Sequence, residues 1–492
     1  MVARSPVFGG KVKSFDDSAA KKVSGVRNVV EVPTGVAVIA DHYWAAKKGR
    51  EALKIEWDLG ANATLDSATQ LEKYKSLAAS EGLPAAKVGD TKAAFSQAKK
   101  MIQAEYVLPY LAHSPMEPLN CTVKIEDDHC TIWTGTQLQG GDQPAAAKIL
   151  GLKPEQVTIN TVFLGGGFGR RANPASDFVS EAVHVAKAAK AIVKTVWSRE
   201  DDVKGGFYRP MYVHNATIGL GPDGLPNAWA HNIVGQSIMV GTPFETFMVK
   251  EGVDATSVEG VADSAYMKQI ANHHITLHTD KSTVPVLWWR SVGHSHTGFV
   301  MESLVDEAAH AAGIDALAYR QALLKAHPRH LSALNLAAEK AGWSKPLAKG
   351  LSRGIAVHES FGSYVAQVAE VSVIDGAVKV HRVVCAIDCG LAVNPDSLIA
   401  QMESCIAFGL GAALHSEISF KEGKVVQSNF HDYQVLRMNE MPKVEVYIVP
   451  STEKMGGAGE PGLPPVAPAV TNAIFAATGK RIRTLPIANQ LA

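Results

Sequence analysis

The chain has 492 residues, of which 46% are hydrophobic and 20% are charged, and its 48 basic side chains balance its 48 acidic ones. A chain of this length can bury sizeable cores in roughly three domain-sized units. The zero formal net charge argues against a nucleic-acid-binding protein, which would carry a basic excess or patch. No low-complexity tract indicates disorder, and no apolar run reaches the roughly 18 residues of a membrane helix. We therefore expect a globular protein.

Strands and helices are predicted in an irregular order along the chain. β-Branched and apolar runs predict strands over residues 29–32, 36–39, 53–57, 101–107, 121–125, 130–133, 157–163, 191–197, 365–374, 378–387 and 443–449. Helical spacing of apolar residues predicts helices over residues 41–52, 67–80, 144–150, 177–189, 299–313, 315–325, 331–341, 395–414 and 468–478. This order favours an α+β fold with mixed sheets over a regular βαβ array.

Five cysteines are spread thinly along the chain, at Cys121, Cys130, Cys385, Cys389 and Cys405. An odd and sparse set of this kind is not a disulfide framework. Cys385 and Cys389 lie in a Val-rich run without a second pair or a nearby set of His ligands, so metal binding by them is disfavoured. We expect these two to be core cysteines.

A dense glycine run, GGGFG at residues 165–169, lies between a predicted strand and a predicted helix. Backbone N–H groups in such a place can approach an anion. The dinucleotide-binding pattern GxGxxG fails because its last position is Arg170, and the Gly-Lys-Ser/Thr ending of a phosphate-binding loop is absent. A flexible turn and a ligand-binding loop both stay open at this point.

A second glycine-rich loop carries one carboxylate, Glu460, shortly before the predicted helix at 468–478. Glycines allow a ligand to approach the backbone closely, and a partly desolvated Glu there can act as a base. The alternative is that Glu460 is solvated or caps the helix, where carboxylates are favoured. On spacing alone, this structural interpretation is the stronger one.

Other polar residues are candidates with weaker signals. Gln137 can donate from its amide to a bound oxygen. Arg290, which follows two tryptophans, could clamp an anion, although a structural cation stacked on aromatic rings is commoner. His294 and His296 would lie on opposite faces of an extended segment, so a metal pair is disfavoured. The hydrolase signatures GxSxG and HExxH are absent, as is a nucleophilic Cys motif.

Taken together, these segments resemble the molybdopterin-binding large subunits of the xanthine oxidase/aldehyde oxidase family. The similarity is greatest to the large subunits of isoquinoline 1-oxidoreductase-type enzymes and bacterial aldehyde dehydrogenases. It covers essentially the whole chain, and the C-terminal segment 467–486 is especially specific. The other matching segments are AHSPMEP (112–118), TQ (136–137), GGGFGRR (165–171), WRSVG (289–293), FVMESLVD (299–306), IDCG (387–390), VNP (393–395) and GGAGEP (456–461).

The resemblance implies the α+β molybdenum-cofactor-binding domains of that family, with a partial α/β hammerhead at the N-terminus. The implied units are a partial hammerhead over 1–58, a connector over 59–100, a first molybdopterin-binding domain over 101–341 and a second over 350–492. Large subunits of this type extend well upstream, where they carry a Gly-Gln-Gly cofactor loop and a twin-arginine signal. We find no equivalent loop, and expect either a separate polypeptide to supply that part or a truncated reading frame.

The resemblance also implies a cofactor, a reaction and partners. The cofactor is molybdopterin, as the cytosine dinucleotide, with its molybdenum held by the pterin dithiolene and by no protein side chain. The reaction is hydroxylation of an aldehyde or an N-heterocycle with oxygen from water, and electrons pass to the [2Fe-2S] clusters of an iron–sulfur partner subunit. A cytochrome c is a further implied partner. Relatives of this branch are commonly exported to the periplasm.

Individual roles follow residue by residue from the matching motifs. Glu460 matches the catalytic glutamate, which acts as the base at the metal centre. Gln137 matches the glutamine that hydrogen-bonds the oxo group, and Gln401 lies on a pterin-contacting helix. The implied cofactor-binding residues are Gln137, Gly166, Gly167, Phe168, Gly169, Arg290, Gln401, Gly457 and Gly459.

Two departures from the family's purine hydroxylases bear on the substrate. Ala172 stands where those enzymes place a substrate-orienting glutamate, and Val292 stands where they carry an aromatic ring. Xanthine is therefore a poor substrate, and aldehydes or simple N-heterocycles are expected. Two other functions stay open: a truncated or non-catalytic assembly subunit without metal, and a protein that binds a small anion through the loop at 165–169.

Overall fold

The structure is a computed structural model that describes residues 1–488, 490 and 491. Its N-terminal part contains short strands joined by short helices. The strands are β1 Val2–Arg4, β2 Lys11–Asp16, β3 Val26–Val32, β4 Gly35–Ala40, β5 Lys54–Asp58 and β6 Leu83–Val88. The helices are α1 Tyr43–Glu51, α2 Ser67–Ala78 and α3 Thr91–Ser96.

The middle part alternates longer strands with helices. The strands are β7 Lys100–Leu108, β8 Asn120–Ile125, β9 Cys130–Thr134, β10 Val157–Thr161, β11 Val193–Val196, β12 Tyr212–Leu220, β13 Pro226–Gln236, β14 Val249–Lys250, β15 Val253–Asp254 and β16 Asn272–Asp280. The helices are α4 Gln139–Leu150, α5 Asp177–Ala189, α6 Arg199–Lys204, α7 Glu245–Met248, α8 His294–Ala312, α9 Ala316–Leu323 and α10 Pro328–Ala341.

The C-terminal part is built on a four-stranded sheet. Its strands are β17 Ser352–Ser360, β18 Ser363–Ile374, β19 Ala377–Asp388, β20 Phe420–Lys421, β21 Lys424–Val425 and β22 Lys443–Ile448. Its helices are α11 Pro395–Leu414 and α12 Val466–Thr478.

Mixed sheets organise these elements, as the α+β prediction requires. A five-stranded sheet has the order β6-β16-β13-β12-β7, and a four-stranded C-terminal sheet has the order β17-β18-β19-β22. Each contains one parallel pair, β13 with β16 and β19 with β22. A further four-stranded sheet, β10-β9-β8-β11, carries α5. Helix α8 is buried from His294 to Ala309 and contributes to one apolar core with β7, β12, β17 and α12.

Most helix predictions are confirmed, and the errors have physical causes. Helices 177–189 and 395–414 have the predicted bounds, and α2 ends two residues early. Helix α4 begins at Gln139, not at Pro144, which lies inside the helix. Helix α8 begins at His294, five residues before its prediction. Strand β6 was not predicted, because its exposed residues have no strand pattern and it forms by pairing with β16.

Helix α11 is long and apolar enough, by length and composition alone, to cross a membrane. The sequence prediction overlooked this property because glycines and polar residues interrupt the run. Half of the most apolar part of the helix is buried inside the protein, and Met402, Cys405 and Ile406 are fully enclosed. We therefore interpret α11 as a core helix.

All five cysteines have free thiols and are buried. Burial raises the pKa of the Cys130 and Cys405 thiols to about 11. A thiol with so high a pKa is almost entirely protonated and therefore unreactive at neutral pH. The prediction that Cys385 and Cys389 are core cysteines is confirmed.

Three buried histidines form a hydrogen-bonded chain between the five-stranded sheet and α8. His214 Nδ1 lies 2.9 Å from His231 Nε2, and His214 Nε2 lies 3.0 Å from His296 Nδ1. His294 instead contacts His358, with 2.8 Å between His294 Nδ1 and His358 Nε2. The segment is not extended, because His294 and His296 both belong to the first turn of α8.

Burial of these three histidines predicts that the protein is less stable in mild acid. Burial lowers the pKa of His231 to about 3 and lowers the pKa values of His214 and His296 well below their usual value. The unfolded chain takes up protons at these rings below about pH 6.5, whereas the folded chain keeps them neutral. The free energy of unfolding should therefore fall as the pH is lowered through this range.

Urea unfolding between roughly pH 7.5 and pH 5.5 measures this effect while most carboxylates stay ionised. A His431→Gln variant is the control, because the His431 side chain is 74% exposed and its removal should leave the pH dependence unchanged. A free energy of unfolding that does not vary over this range would contradict the prediction.

Candidate active site

A cavity of about 540 Å³ lies where loops from distant parts of the chain meet. Its walls come from the loop after β9, the glycine loop before α5, the loop before α8, helix α11 and the loop before α12. The lining residues are Gln137, Gly167, Phe168, Gly169, Ala172, Trp288, Trp289, Arg290, Val292, Gln401, Ser404, Gly459 and Glu460. The cavity therefore brings together most of the residues that the sequence singled out.

The glycine loop, residues 165–169, has a backbone that only glycine adopts easily. Gly166 and Gly169 have φ angles of 98° and 105°, and Phe168 has the left-handed φ of 55°. A Cβ atom on Gly167 would lie 2.3 Å from Gln137 Oε1. The loop is not at a helix N-terminus, because β10 ends at Thr161 and α5 begins at Asp177. The predicted placement of the loop between a strand and a helix is confirmed.

Arg171 stabilises the glycine loop through hydrogen bonds to backbone carbonyl groups. Its guanidinium donates hydrogen bonds to the carbonyl oxygens of Gly166, Gly135 and Glu117, at 2.9 to 3.1 Å. It also donates to Glu117 Oε2 at 2.9 Å. The pKa of the Glu117 carboxyl is lowered by its hydrogen bonds and by Arg171, against the effect of burial. The segment 112–118 thus supports the loop rather than lining the cavity.

Arg290 joins three segments at the cavity wall. Its Nε donates to the Gly459 carbonyl at 3.0 Å, Nη1 donates to Ser404 Oγ at 2.9 Å, and Nη2 donates to Gln401 Oε1 at 2.7 Å. Nη2 also contacts the Gly459 carbonyl. A guanidinium has five N–H groups, so at most one is left for a ligand. Arg290 therefore organises the site more than it clamps an anion.

Glu460 is fixed by the residue that follows Arg290. The Ser291 N–H donates to Glu460 Oε2 at 2.6 Å, and Ser291 Oγ donates to the Glu460 carbonyl at 2.8 Å. Cys405 Sγ also lies 3.5 Å from that carbonyl. The carboxylate is half-buried and faces the cavity. Glu460 does not cap α12, which begins only at Val466.

An aromatic stack separates the cavity from a second, apolar one. The Phe408 ring lies between the Phe168 and Trp289 rings, with centroid distances of 4.4 and 4.5 Å. The second cavity, of about 390 Å³, shares Phe168, Trp289 and Ser404 with the first. The stack therefore gives the glycine loop a rigid support.

Two predicted residues lie outside the cavity lining. Gly166 packs against Pro115 and the Phe168 ring, and Gly457 donates its N–H to the Phe361 carbonyl at 2.8 Å. Sequence reasoning missed Trp288 and Ser404, which line the cavity. Ser404 lies three residues after Gln401 on α11, so helical spacing from Gln401 could have found it.

Comparisons with known proteins identify the family. Two models described as molybdopterin cofactor-binding domain match residues 75–324 and 266–442. The chain therefore belongs to the molybdopterin cofactor-binding domain family, and the resemblance to the xanthine oxidase family is confirmed.

Individual relatives agree with this assignment. The chain is 31% identical to the beta chain of isoquinoline 1-oxidoreductase from Brevundimonas diminuta, with 100% of this chain and 64% of the relative covered. It is 29% identical to a membrane-bound aldehyde dehydrogenase (pyrroloquinoline-quinone) of Gluconacetobacter polyoxogenes, with 98% of this chain and 66% of the relative covered. The chain thus spans less than two thirds of the length of these relatives.

Solved structures confirm the α+β fold. Quinoline 2-oxidoreductase from Pseudomonas putida 86 aligns with a TM-score of 0.80 over 100% of this chain and 93% of that one, at 14% identity. The aldehyde oxidoreductase from Desulfovibrio gigas aligns with a TM-score of 0.77 over 100% and 76%, at 16% identity. At these identities the similarity concerns the fold.

The residues present suit a molybdopterin group. Side chains larger than hydrogen are excluded at Gly169, where a Cβ atom would lie 2.5 Å from the Trp288 carbonyl, so the glycine loop packs directly on the backbone before Arg290. A Cβ atom on Gly459 would meet no neighbouring atom within 4 Å. The side-chain amides of Gln137 and Gln401 provide donors and acceptors for the polar edge of a pterin. In the described part of the chain, no group of three His, Cys, Asp or Glu residues could hold a metal ion.

The two glycines predict opposite effects on stability. Gly169→Ala should lower the free energy of unfolding by roughly 1–3 kcal/mol, because the methyl group overlaps the Trp288 carbonyl and the φ of 105° disfavours alanine. Gly459→Ala is the matched control and should change it by less than about 0.5 kcal/mol. Urea unfolding of both variants checks this. Equal stability of the two variants would refute the glycine-loop argument.

Proposed function

We propose that the chain is the catalytic, molybdopterin-binding subunit of a molybdenum hydroxylase that oxidises an aldehyde or an N-heterocycle. The observation that carries the proposal is the convergence of Gln137, Phe168, Arg290, Gln401 and Glu460 on one cavity, from five separate segments. These are the residues that the family resemblance assigns to cofactor and base. Chance grouping of this set in an unrelated pocket is not expected, because the segments are far apart in sequence.

When bound, the molybdenum–pterin group supplies a two-electron acceptor and a Lewis-acidic centre for oxygen derived from water. Replacing a substrate C–H by C–OH with that oxygen releases two electrons and two protons. The chain must therefore provide a base within reach of the reacting atoms. Glu460 has this role in our proposal, because it faces the cavity and one of its carboxylate oxygens is fixed by the Ser291 N–H.

The other residues orient rather than react. Gln137 has an exposed side chain and presents its amide at the cavity, beside the glycine loop. Phe168 and Gly169 bring backbone groups close to the bound group, and Gln401 is oriented by its hydrogen bond from Arg290. Ala172 and Val292 leave space at the wall of the cavity. That space supports an apolar or simple heterocyclic substrate rather than a purine.

The finer assignments belong to the same proposal. We infer that the pterin is the cytosine dinucleotide form, and that electrons leave through an iron–sulfur partner with two [2Fe-2S] clusters and then a cytochrome c. Two relatives, an isoquinoline 1-oxidoreductase chain and a nicotinate dehydrogenase chain, are each named as one subunit of their enzyme, which supports a multi-subunit assembly. By resemblance, we propose a periplasmic location.

The rival functions make different predictions. A protein that only binds a small anion through the backbone N–H groups of the glycine loop would purify without molybdenum or iron. A non-catalytic assembly subunit would purify without metal. Elemental analysis of the chain purified with its native partners separates these cases. The proposal expects about one molybdenum and about four irons per chain, the irons being those of two [2Fe-2S] clusters.

Glu460→Gln tests the base directly. The glutamine can still accept the Ser291 hydrogen bond, so the molybdenum and pterin contents should stay unchanged. Turnover of isoquinoline or benzaldehyde with an artificial electron acceptor should fall on the order of a hundredfold or more, because a positioned base is lost.

Glu453→Gln is the matched control, because Glu453 lies in the same loop with an exposed side chain. Its turnover should equal that of the wild type. Full turnover by Glu460→Gln at normal cofactor content would exclude Glu460 as the base.

A further inference from the structure

A carboxylate that no sequence motif singled out lies beside the loop at residues 290–293. Glu259 follows a short turn of 3-10 helix, Ala255–Ser257, and its side chain is 22% exposed. Its Oε1 accepts a hydrogen bond from the Gly293 N–H at 2.7 Å. Glu259 is therefore attached to the same loop that presents the Ser291 N–H to Glu460.

The loop at residues 290–293 has an unfavourable backbone that its surroundings must hold. Ser291 and Val292 have φ angles of 77° and 50°, in the left-handed region that L-amino acids avoid. Such conformations persist only where neighbouring contacts determine them. Arg290 and Ser291 hold the first half of the loop through Gly459 and Glu460.

Contacts with the segment 255–259 hold the second half of the loop at residues 290–293. A Cβ atom on Gly293 would lie 1.8 Å from the Thr256 carbonyl and 2.9 Å from Glu259 Oε1, so the loop packs directly on this segment. The contact is polar and short, with 2.7 Å between the Gly293 nitrogen and Glu259 Oε1. Removal of the Glu259 carboxylate would free the end of the loop next to Val292.

We propose that Glu259 is a positioning residue, which holds the loop at residues 290–293 in the conformation that places the Ser291 N–H on the Glu460 carboxylate. The consequence for catalysis rests on the proposed role of Glu460 as the base. The structural part of the inference, the dependence of the loop on Glu259, can be tested without the cofactor.

The charges around Glu259 make this contact dependent on pH. Asp254 and Asp263 face it with like charge, His294 Nε2 lies 3.7 Å from Glu259 Oε2, and the Tyr212 hydroxyl is nearby. Burial, with these two aspartates, raises the pKa of Glu259 to about 8. The ionised carboxylate is the better acceptor, so the loop should be held more tightly as the pH rises through about 8.

Hydrogen exchange of the full chain measures the hold on the loop, read at the Ser291 and Gly293 amides. In Glu259→Ala, exchange at these amides should accelerate about tenfold or more, because the Gly293 N–H loses an acceptor. In Glu259→Gln, protection should stay within about twofold of the wild type, since an amide oxygen can still accept. Glu339→Gln, at an exposed position on α10, is the control.

The pH dependence gives a second readout that survives if Glu259→Ala does not fold. After correction for intrinsic exchange, wild-type protection of the two amides should increase between about pH 7 and pH 9, whereas that of Glu259→Gln should not. Unchanged exchange in Glu259→Ala, or equal pH dependence in wild type and Glu259→Gln, would overturn the inference.

Turnover separates this inference from the proposed function. Suppose that exchange follows the prediction, that Glu259→Ala lowers turnover and that Glu259→Gln keeps it near the wild-type value. The positioning role of Glu259 and the role of Glu460 as base are then both supported. If exchange follows the prediction but Glu460→Gln keeps full turnover, the role of Glu460 as base fails and the structural role of Glu259 stands.

Discussion

The guanidinium of Arg290 is the interaction on which the candidate site depends. It lies where helix α11, the loop before α8 and the loop before α12 meet, and it hydrogen-bonds partners in the first and last of these. The side chain is only 6% exposed, so its hydrogen bonds compete little with water. A lysine in its place could not bridge Gly459, Ser404 and Gln401 at once, because it lacks the planar fork of donors.

Strained backbone positions occur in several loops, and three of them lie around the same cavity. Phe168, Ser291 and Val292 are non-glycine residues with left-handed φ angles, and all three lie in the loops that line or support the site. Each is held by neighbours: Phe168 by stacking on Phe408, Ser291 by two hydrogen bonds to Glu460, and Val292 by the hydrogen bond from its N–H to the Trp289 carbonyl. Strain of this kind is expected where geometry is imposed for function.

Sequence reasoning succeeded where the signal is local. Helix α11 was predicted with its true bounds because Asn394 caps it and Pro395 occupies its first position. The candidate site residues were found through motif resemblance, since spacing alone favoured a structural role for Glu460. What could not be predicted depends on distant partners: β6 becomes a strand by pairing with β16, and Glu259 matters through its contact with Gly293.

The site has a consequence for the order in which the protein matures. Ser291 and Glu460 are 169 residues apart in the chain, so their hydrogen bonds close a long loop and form late in folding. A nascent or partly unfolded chain has no such pocket to offer. A ligand of this cavity binds only the folded protein, and it therefore shifts the folding equilibrium towards the folded state by mass action. Occupancy of the cavity would then report on the quality of the fold, and protease resistance would rise with it.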